Sequence, residues 1–284
     1  MSALESLLKG DVDTALAALF DEVRSEPDQP RHRIFLFQLL SVVGQWDRAL
    51  TQLNVARDLD PTAGVMAAAY QEILQCEALR RQVFDGSRTP LVFGDPEPWV
   101  AQMIEALHLT GEEQVDAAQE LRRTAIEAAP TTAGTLSARM PGGPHARHEG
   151  AVAEVGFEWL ADGDTRLGPI LELIVNGRYY WAPLHRIAEI VIEPPSDLRD
   201  LVWTPAQFRW ANAGEAVGVI PTRYVGSEAG EEDAMRLARK TCWRETGPDA
   251  YEGLGQRVFM TDVGEYGLLD ICRITLGGTS EEEG

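Results

Sequence analysis

The sequence predicts an α+β fold in which helices come first and strands come second. Three observations support this prediction: an internal repeat with helical character over residues 4–61, a change to strand-like periodicity from Ala151, and two apolar runs joined by Asn176-Gly177. We therefore expect an N-terminal helical domain followed by a mainly β domain, built as a twisted sheet or a small barrel.

The helical prediction depends on a repeat with a period of 34 residues. The pairs that share this spacing are Gly10 and Gly44, Ala15 and Ala49, Leu16 and Leu50, Leu19 and Leu53, and Pro27 and Pro61. Tetratricopeptide helix–turn–helix units have this period; glycine permits their tight turn, alanine their close helix crossing, and proline ends each unit. We predict a TPR-like all-helical domain over residues 1–130.

The period does not continue cleanly, so later helices are predicted from the spacing of apolar residues. Residues 62–84 form one long predicted helix, and residues 99–107 and 112–129 form a pair around Gly111. This pair resembles a decayed third unit, with its alanine one position late at Ala117. Because one helix pair cannot bury its own apolar face, we expect the units to stack into a short array.

Residues 131–150 are predicted to be a linker or a long loop, because they are rich in Gly, Pro and small polar residues. His145 and His148 lie in this segment, but Glu149 is the only further metal ligand nearby, so we expect no metal site. The β-rich domain is predicted to cover residues 151–284.

The β-rich half is organised around the hairpin at Asn176-Gly177. Asn-Gly favours a type I′ turn, which needs positive φ at both positions, and this turn sets Val175 opposite Arg178. One face of the hairpin then carries Leu171, Leu173, Val175, Tyr180 and Ala182, and the other carries Ile174, Tyr179 and Trp181. A hairpin with one solvated face alternates apolar and polar residues, so both faces here need covering, by this chain or by a partner.

Further strands are predicted from short apolar runs between turn signals. They cover residues 155–160, 187–193, 206–211, 216–220, 256–261 and 268–275. A helix is predicted over residues 231–241, because acidic residues begin this segment and basic residues end it.

Composition limits the classes of function. The net charge is −20 and the pI is about 4.6, with acidic residues in excess in both halves. Such charge disfavours binding to nucleic acid or to anionic membranes. The three cysteines are widely spaced, the N-terminus lacks signal-peptide features, and no apolar stretch approaches the ~18 residues of a membrane span, so we expect a cytoplasmic protein without membrane insertion.

No catalytic motif stands out in the sequence. A phosphate-binding loop, a GxSxG elbow, an HExxH pair and a Rossmann glycine signature are all missing. Asp162 and Asp164 could hold a cation, but a turn explains them more simply. Arg199, Asp200 and Trp203 could position an anion, but an ion pair beside a packed tryptophan is the simpler interpretation. We expect no enzymatic activity and no cofactor.

Several long motifs run in order along nearly the whole chain. They are RIFLFQLL from Arg33, GQWDRALTQL from Gly44, FEWLADGDTRLGPILELIVNGRYYWAPL from Phe157, PPSDLRDLVWTP from Pro194, PTRYVGSE from Pro221, LARKTCW from Leu237 and YEGLGQRVFMTDVGEYGLLDIC from Tyr251. In these motifs the chain resembles the ImpE/TagJ (SciE-type) family of accessory proteins encoded with bacterial type VI secretion systems. The resemblance implies a non-catalytic adaptor that binds the N-terminal helix of the small sheath subunit and links it to the sheath-recycling AAA+ ATPase.

A partner helix needs an apolar cleft that accepts residues at i, i+3, i+4 and i+7. The predicted docking residues are Trp159, Ile174, Tyr179 and Trp181. The alternative surface, on the concave face of the repeats, includes Arg33, Phe37 and Trp46. Two other functions stay open at this point: a self-assembling structural scaffold, and an enzyme with a dispersed site in the β-rich half.

Overall fold

Seven α-helices lie between Ala3 and Ala128 in the computed structural model, which describes residues 2–139 and 151–277. They are α1 (Ala3–Leu8), α2 (Val12–Ser25), α3 (Pro30–Val42), α4 (Trp46–Leu59), α5 (Gly64–Phe84), α6 (Pro98–Gly111) and α7 (Val115–Ala128). Side chains cap the first two: Ser2 forms a capping box with Glu5, and Asp11 accepts the amide of Thr14. None of the helices in the described residues is long and apolar enough to cross a membrane.

The repeat corresponds to two helix pairs, α1–α2 and α3–α4. Gly10 and Gly44 stand at the two turns with φ of +81° and +68°, a backbone conformation that strains other residues. Ala15 and Ala49 follow five positions later and are fully buried. The glycines and alanines therefore have the roles that the repeat predicts.

The pair α6–α7 continues the repeat, but in a different register from the predicted one. Its left-handed turn residue is Glu113, with φ of +63°, and not Gly111. Ala118 follows Glu113 by five positions and is buried, whereas Ala117 is exposed. The prediction that Ala117 takes the crossing position is wrong. Gly111 ends α6 and does not turn the chain; Glu113 makes the turn, so the crossing position falls at Ala118.

The second half contains most of the fourteen strands in the described residues. The strands are β1 (Leu91–Val92), β2 (Gly134–Arg139), β3 (Val152–Phe157), β4 (Leu160–Asp162), β5 (Ile170–Val175), β6 (Arg178–Pro183), β7 (Ile187–Ile192), β8 (Trp203–Trp210), β9 (Glu215–Pro221), β10 (Thr241–Gly247), β11 (Ala250–Gly255), β12 (Val258–Thr261), β13 (Glu265–Gly267) and β14 (Ile271–Leu276). Nine of them form an open sheet in the order β1-β6-β5-β9-β8-β7-β14-β2-β3, and smaller sheets are β10-β11 and β13-β12-β4. The α+β prediction is confirmed, with an open sheet and not a closed barrel.

Two predicted segments form a different type of structure. Residues 134–139, within the predicted linker, form β2, because Leu136 and Ala138 alternate into the sheet core between β14 and β3. The predicted helix over 231–241 shrinks to α8 (Asp233–Arg236), because the chain from Thr241 pairs with β11 instead. His145 and His148 lie outside the described residues.

The Asn176-Gly177 hairpin has the predicted turn and register. Both turn residues have positive φ, and β5 pairs with β6 so that Val175 lies opposite Arg178. One apolar face packs into the core of the strands. The other face, with Ile174, packs into a core that it shares with the helices. The chain's own helices therefore supply the missing cover.

A shared core predicts that the helices and the sheet unfold together. Replacing Ile174 by Ala removes a side chain that is 2% exposed, and we expect it to lower the free energy of unfolding by about 2–5 kcal/mol. The control Val217→Ala, at a position 72% exposed, should change it by less than about 0.5 kcal/mol. Urea unfolding followed by far-UV circular dichroism and by tryptophan fluorescence should give one coincident transition; two separated transitions would refute a shared core.

Candidate partner-binding cleft and the charges beneath it

The structure separates the four residues predicted as a docking surface. Tyr179 and Trp181 are 1% and 0% exposed, and Ile174 is equally inaccessible. Helix α5 covers this face, where the rings of Phe84 and Trp181 meet edge to face with 6.1 Å between centroids. A partner cannot reach these three residues in the folded chain, so the prediction is wrong for them. Trp159 differs from the other three because it is 39% exposed.

The alternative surface is only partly accessible. Phe37 is fully buried, with its ring 5.6 Å from that of Tyr70. Arg33 is half-buried and donates to Gln52 at 2.9 Å. Trp46 lies half-buried at the rim of a cleft, which makes it the member of this set best placed to meet a partner.

This cleft lies between the start of α4 and the second half of α5 and has a volume of about 840 Å³. Its apolar lining comes from Trp46, Leu50, Leu74 and Ala78, and its charged lining from Asp47, Arg48, Glu77, Arg81 and Asp85. We call it the Trp46 cleft. An apolar strip bordered by both signs of charge suits a segment of another protein better than a small apolar ligand.

A loop of the β half holds one wall of the Trp46 cleft. The buried Arg223 donates to the carbonyls of Ser41 at 3.3 Å and Val42 at 2.7 Å, at the C-terminal end of α3. A cation is favourable there because the last carbonyls of a helix carry partial negative charge. Burial lowers the pKa of Arg223 to about 10. Glu228, on the same loop, packs against Gly44. A Cβ added to Gly44 would lie only 2.4 Å from the Glu228 side chain.

The same loop also reaches the opposite wall of the cleft. The carboxylate of Glu228 accepts a hydrogen bond from Arg81 of α5 at 2.7 Å. The loop therefore joins the α3–α4 turn to α5, and the shape of the cleft depends on the sheet as well as on the helices.

Beneath the cleft, buried charges connect helix α5 to the sheet. Arg80 of α5 donates to Glu172 of β5 at 2.7 and 3.2 Å and to the carbonyl of Arg223 at 2.7 Å. Glu77, one turn earlier, accepts the indole N–H of Trp203 at 2.7 Å. All these side chains are buried, so each charge depends on its partner for solvation.

Arg257 extends this network further into the β half. Its guanidinium pairs with both Glu172 and Asp162, and all three side chains are buried. Asp162 also accepts the hydroxyl of Tyr224 at 2.9 Å. We call Arg80, Glu172, Arg257 and Asp162 the buried charge network.

Two carboxylates of this network have their pKa values moved in opposite directions. Burial alone would raise the pKa of Glu172, but Arg80 and Arg257 outweigh burial and lower it to about 2. Burial raises the pKa of Asp162 to about 6, and the neighbouring Asp164 carboxylate adds to the rise. Burial outweighs Arg257 and the hydrogen bonds from the Asp164 amide and the Tyr224 hydroxyl, all of which lower this pKa.

The simpler interpretations of two candidate ion sites agree with the geometry. Asp164 accepts hydrogen bonds from Arg166 at 2.9 Å and from the amide of Gly253 at 3.0 Å. The positive charge beside this carboxylate is therefore an arginine of the same turn. Arg199 pairs with Asp197 at 2.8 Å close to the buried Trp203. In the described ranges, His, Cys, Asp and Glu side chains form no group suited to a metal ion.

The buried charge network was not predicted, although the sequence contains a signal for it. Glu172 interrupts the apolar run ILELIV, and Arg257 precedes the apolar run VFM. A charge in a strand that is otherwise apolar on both faces must be paired inside the protein, because an unpaired buried charge is very costly. The partners could not be identified, because Arg80 and Glu172 are 92 positions apart.

The fold and the cleft define a TPR-like repeat array that is braced by an open β-sheet. The family model for ImpE protein matches residues 154–275. A Pseudomonas aeruginosa protein named type VI secretion system accessory component TagJ is 46% identical over 271 residues, which cover 95% of this chain and 89% of the relative. The chain therefore belongs to the ImpE family, as its motifs predict. A crystal structure of protein VPA1032 from Vibrio parahaemolyticus has a TM-score of 0.83 at 23% identity, covers 98% of each chain and shows the same fold.

The buried charge network predicts a pH-dependent loss of stability. Replacing Glu172 by Gln leaves two buried guanidinium groups underpaired, and we expect a loss of about 3–5 kcal/mol in the free energy of unfolding at neutral pH. The folded pKa of Glu172, about 2, lies below its ordinary value of 4.5, so this carboxylate stabilises the fold above pH 4.5 and loses that effect as pH falls toward 2.

The difference in stability between the native chain and Glu172→Gln should therefore shrink as pH falls from about 5 to about 3. Urea titrations at several pH values measure it. Glu189→Gln, which removes a surface carboxylate paired with Arg209 and Arg273, is the control and should cost at most about 1 kcal/mol. A difference that stays constant over this pH range would show that Glu172 is not ionised in the folded chain.

Proposed function

We propose that this protein is a non-catalytic adaptor of a bacterial type VI secretion system. The observation that carries the proposal is the 46% identity, along nearly the whole chain, to a relative named as an accessory component of that system. The adaptor binds the N-terminal helix of the small sheath subunit and links it to the sheath-recycling AAA+ ATPase, as the family resemblance implies.

The Trp46 cleft is the proposed site for the sheath helix. A helix that docks in a groove buries side chains at i, i+3, i+4 and i+7. Pockets of roughly 300–1,000 Å³ hold compact ligands, so a cleft of about 840 Å³ has room for several such anchors. Trp46, Leu50 and Ala78 give these anchors an apolar lining, and Arg81 and Asp85 can pair with charges at their edges.

The enzyme alternative depends on a titratable group that faces a cavity. His185 lines a second cavity of about 460 Å³ and lies 3.0 Å from Glu97. That carboxylate also accepts Arg186 at 3.0 Å and the indole of Trp99 at 2.9 Å. The cavity lining otherwise consists of two threonines, a glycine and aliphatic residues, and in the described residues His185 hydrogen-bonds to Glu97 and to neither threonine. This geometry supports the adaptor over the enzyme.

A variant that blocks the cleft tests the proposed site. Ala78 is an exposed residue of the cleft lining, and Ala78→Arg should weaken binding of a synthetic sheath-subunit N-terminal peptide at least about tenfold, because the new side chain fills the groove. Ala68→Arg, at another exposed alanine of α5 outside the cleft, is the matched control and should bind normally. Isothermal titration calorimetry measures both.

The possible outcomes separate the function from the site. If the native chain does not bind the peptide, the proposed function is wrong. If the native chain binds and Ala78→Arg binds equally well, the function stands and the Trp46 cleft is not the docking site.

The net charge of −20 predicts that association with a basic partner depends on salt. Opposite charges steer an encounter, and salt screens this attraction over a Debye length of about 8 Å at physiological ionic strength. We expect the association rate constant of the peptide, measured by stopped-flow fluorescence, to fall as salt is raised, while the dissociation rate constant changes little. An association rate independent of salt would show that the charge serves solubility alone.

A further inference from the structure

The three-stranded sheet β13-β12-β4 has an outer face that the rest of the described chain covers only in part. Met260 lies opposite Ala161 on one side and Glu265 on the other, so these three residues share a face. Phe259 and Asp162 point to the inner face and are buried. Trp159 lies directly before β4, two residues ahead of Ala161.

A second tryptophan reaches the same face from a different element. Trp243 of β10 packs against Gly163. A Cβ added to Gly163 would lie 2.5 Å from the indole ring of Trp243 and 3.4 Å from the Cγ of Met260. Its ring also packs on Tyr224, with 5.6 Å between centroids. Trp243 is nevertheless 39% exposed, as is Trp159. The protein fixes one side of this ring and leaves the other side to solvent.

Exposed carboxylates lie close to the two tryptophans in the chain or in the sheet. They are Glu158, Glu245, Asp262 and Glu265. Within the described residues none of the four takes part in an ion pair, whereas Arg244 of the same hairpin pairs with Glu252. Asp262 accepts the amide of Glu158 at 2.8 Å, which orders the turn that carries both. The face therefore combines exposed aromatic rings with uncompensated negative charge.

We propose that this surface, the tryptophan face, binds a basic segment of a partner protein through Arg or Lys side chains. A guanidinium stacks on an indole ring and is attracted to its negative face, and nearby carboxylates favour the same cation. Tryptophans held in place on one side are typical of binding hot spots. An anionic partner such as nucleic acid would be repelled by the four carboxylates.

The tryptophan face lies on β4, β10, β12 and β13, whereas the Trp46 cleft lies on α4 and α5. The two surfaces share no element. This inference goes beyond the proposed function and does not require it: the basic segment binds whether or not the cleft accepts a sheath helix.

The test uses a fluorescein-labelled peptide, Arg-Ala-Arg-Ala-Arg-Ala, and fluorescence anisotropy with the full chain. Trp159→Ala should raise the dissociation constant about two- to fivefold, as expected for one exposed cation–π contact. Glu265→Lys should raise it by at least the same factor. The matched control Glu105→Lys, an exposed position on α6, makes the same change in net charge away from the face and should leave binding within about twofold.

The peptide Glu-Ala-Glu-Ala-Glu-Ala should not bind the native chain. Glu265→Lys keeps the test valid if Trp159→Ala unfolds, because it changes an exposed side chain. Equal effects of Glu265→Lys and Glu105→Lys would assign the binding to net charge and overturn the proposal. Failure of the arginine peptide to bind the native chain would overturn it as well.

Discussion

The buried contact between Arg80 of α5 and Glu172 of β5 is the constraint on which the rest of the structure depends. Apolar faces attract without direction, so Ile174, Tyr179 and Trp181 would accept a helix in several positions. A buried guanidinium does not tolerate such freedom, because it must meet its carboxylate or remain unpaired at high cost. The pair at 2.7 Å therefore sets where α5 lies on the hairpin.

Arg257 makes this constraint stronger, because it brings a segment near the C-terminus to the same carboxylate, Glu172. Glu172 forms ion pairs with both Arg80 and Arg257, and Asp162 forms an ion pair with Arg257. Two guanidinium neighbours lower the pKa of Glu172, whereas Asp162 has one guanidinium and a nearby carboxylate, so burial raises its pKa. The helical repeats and the sheet are joined by this arrangement as well as by their shared apolar core.

Local signals in the sequence predicted the local structure well. A 34-residue spacing placed Gly44 at its turn, and Asn176-Gly177 fixed a hairpin whose register the structure confirms. Both signals act between near neighbours in the chain. The strand from Thr241 could not be predicted, because its pairing with β11 competes with helix formation. The partner of Glu172 could not be predicted, because Arg80 is distant in sequence.

The error over the docking surface has the same origin. The two apolar faces of the hairpin are predicted correctly, but the sequence pattern does not distinguish a cover from the same chain from a cover by a partner, because either one buries the same side chains. Helix α5 of the same chain covers the face with Ile174, Tyr179 and Trp181. Once α5 lies on the hairpin, its opposite side forms the wall of the Trp46 cleft, and Arg223 and Glu228 reach across from the sheet to hold that cleft in shape. Contacts that seal one apolar surface thus leave another open on the opposite side of α5, the Trp46 cleft.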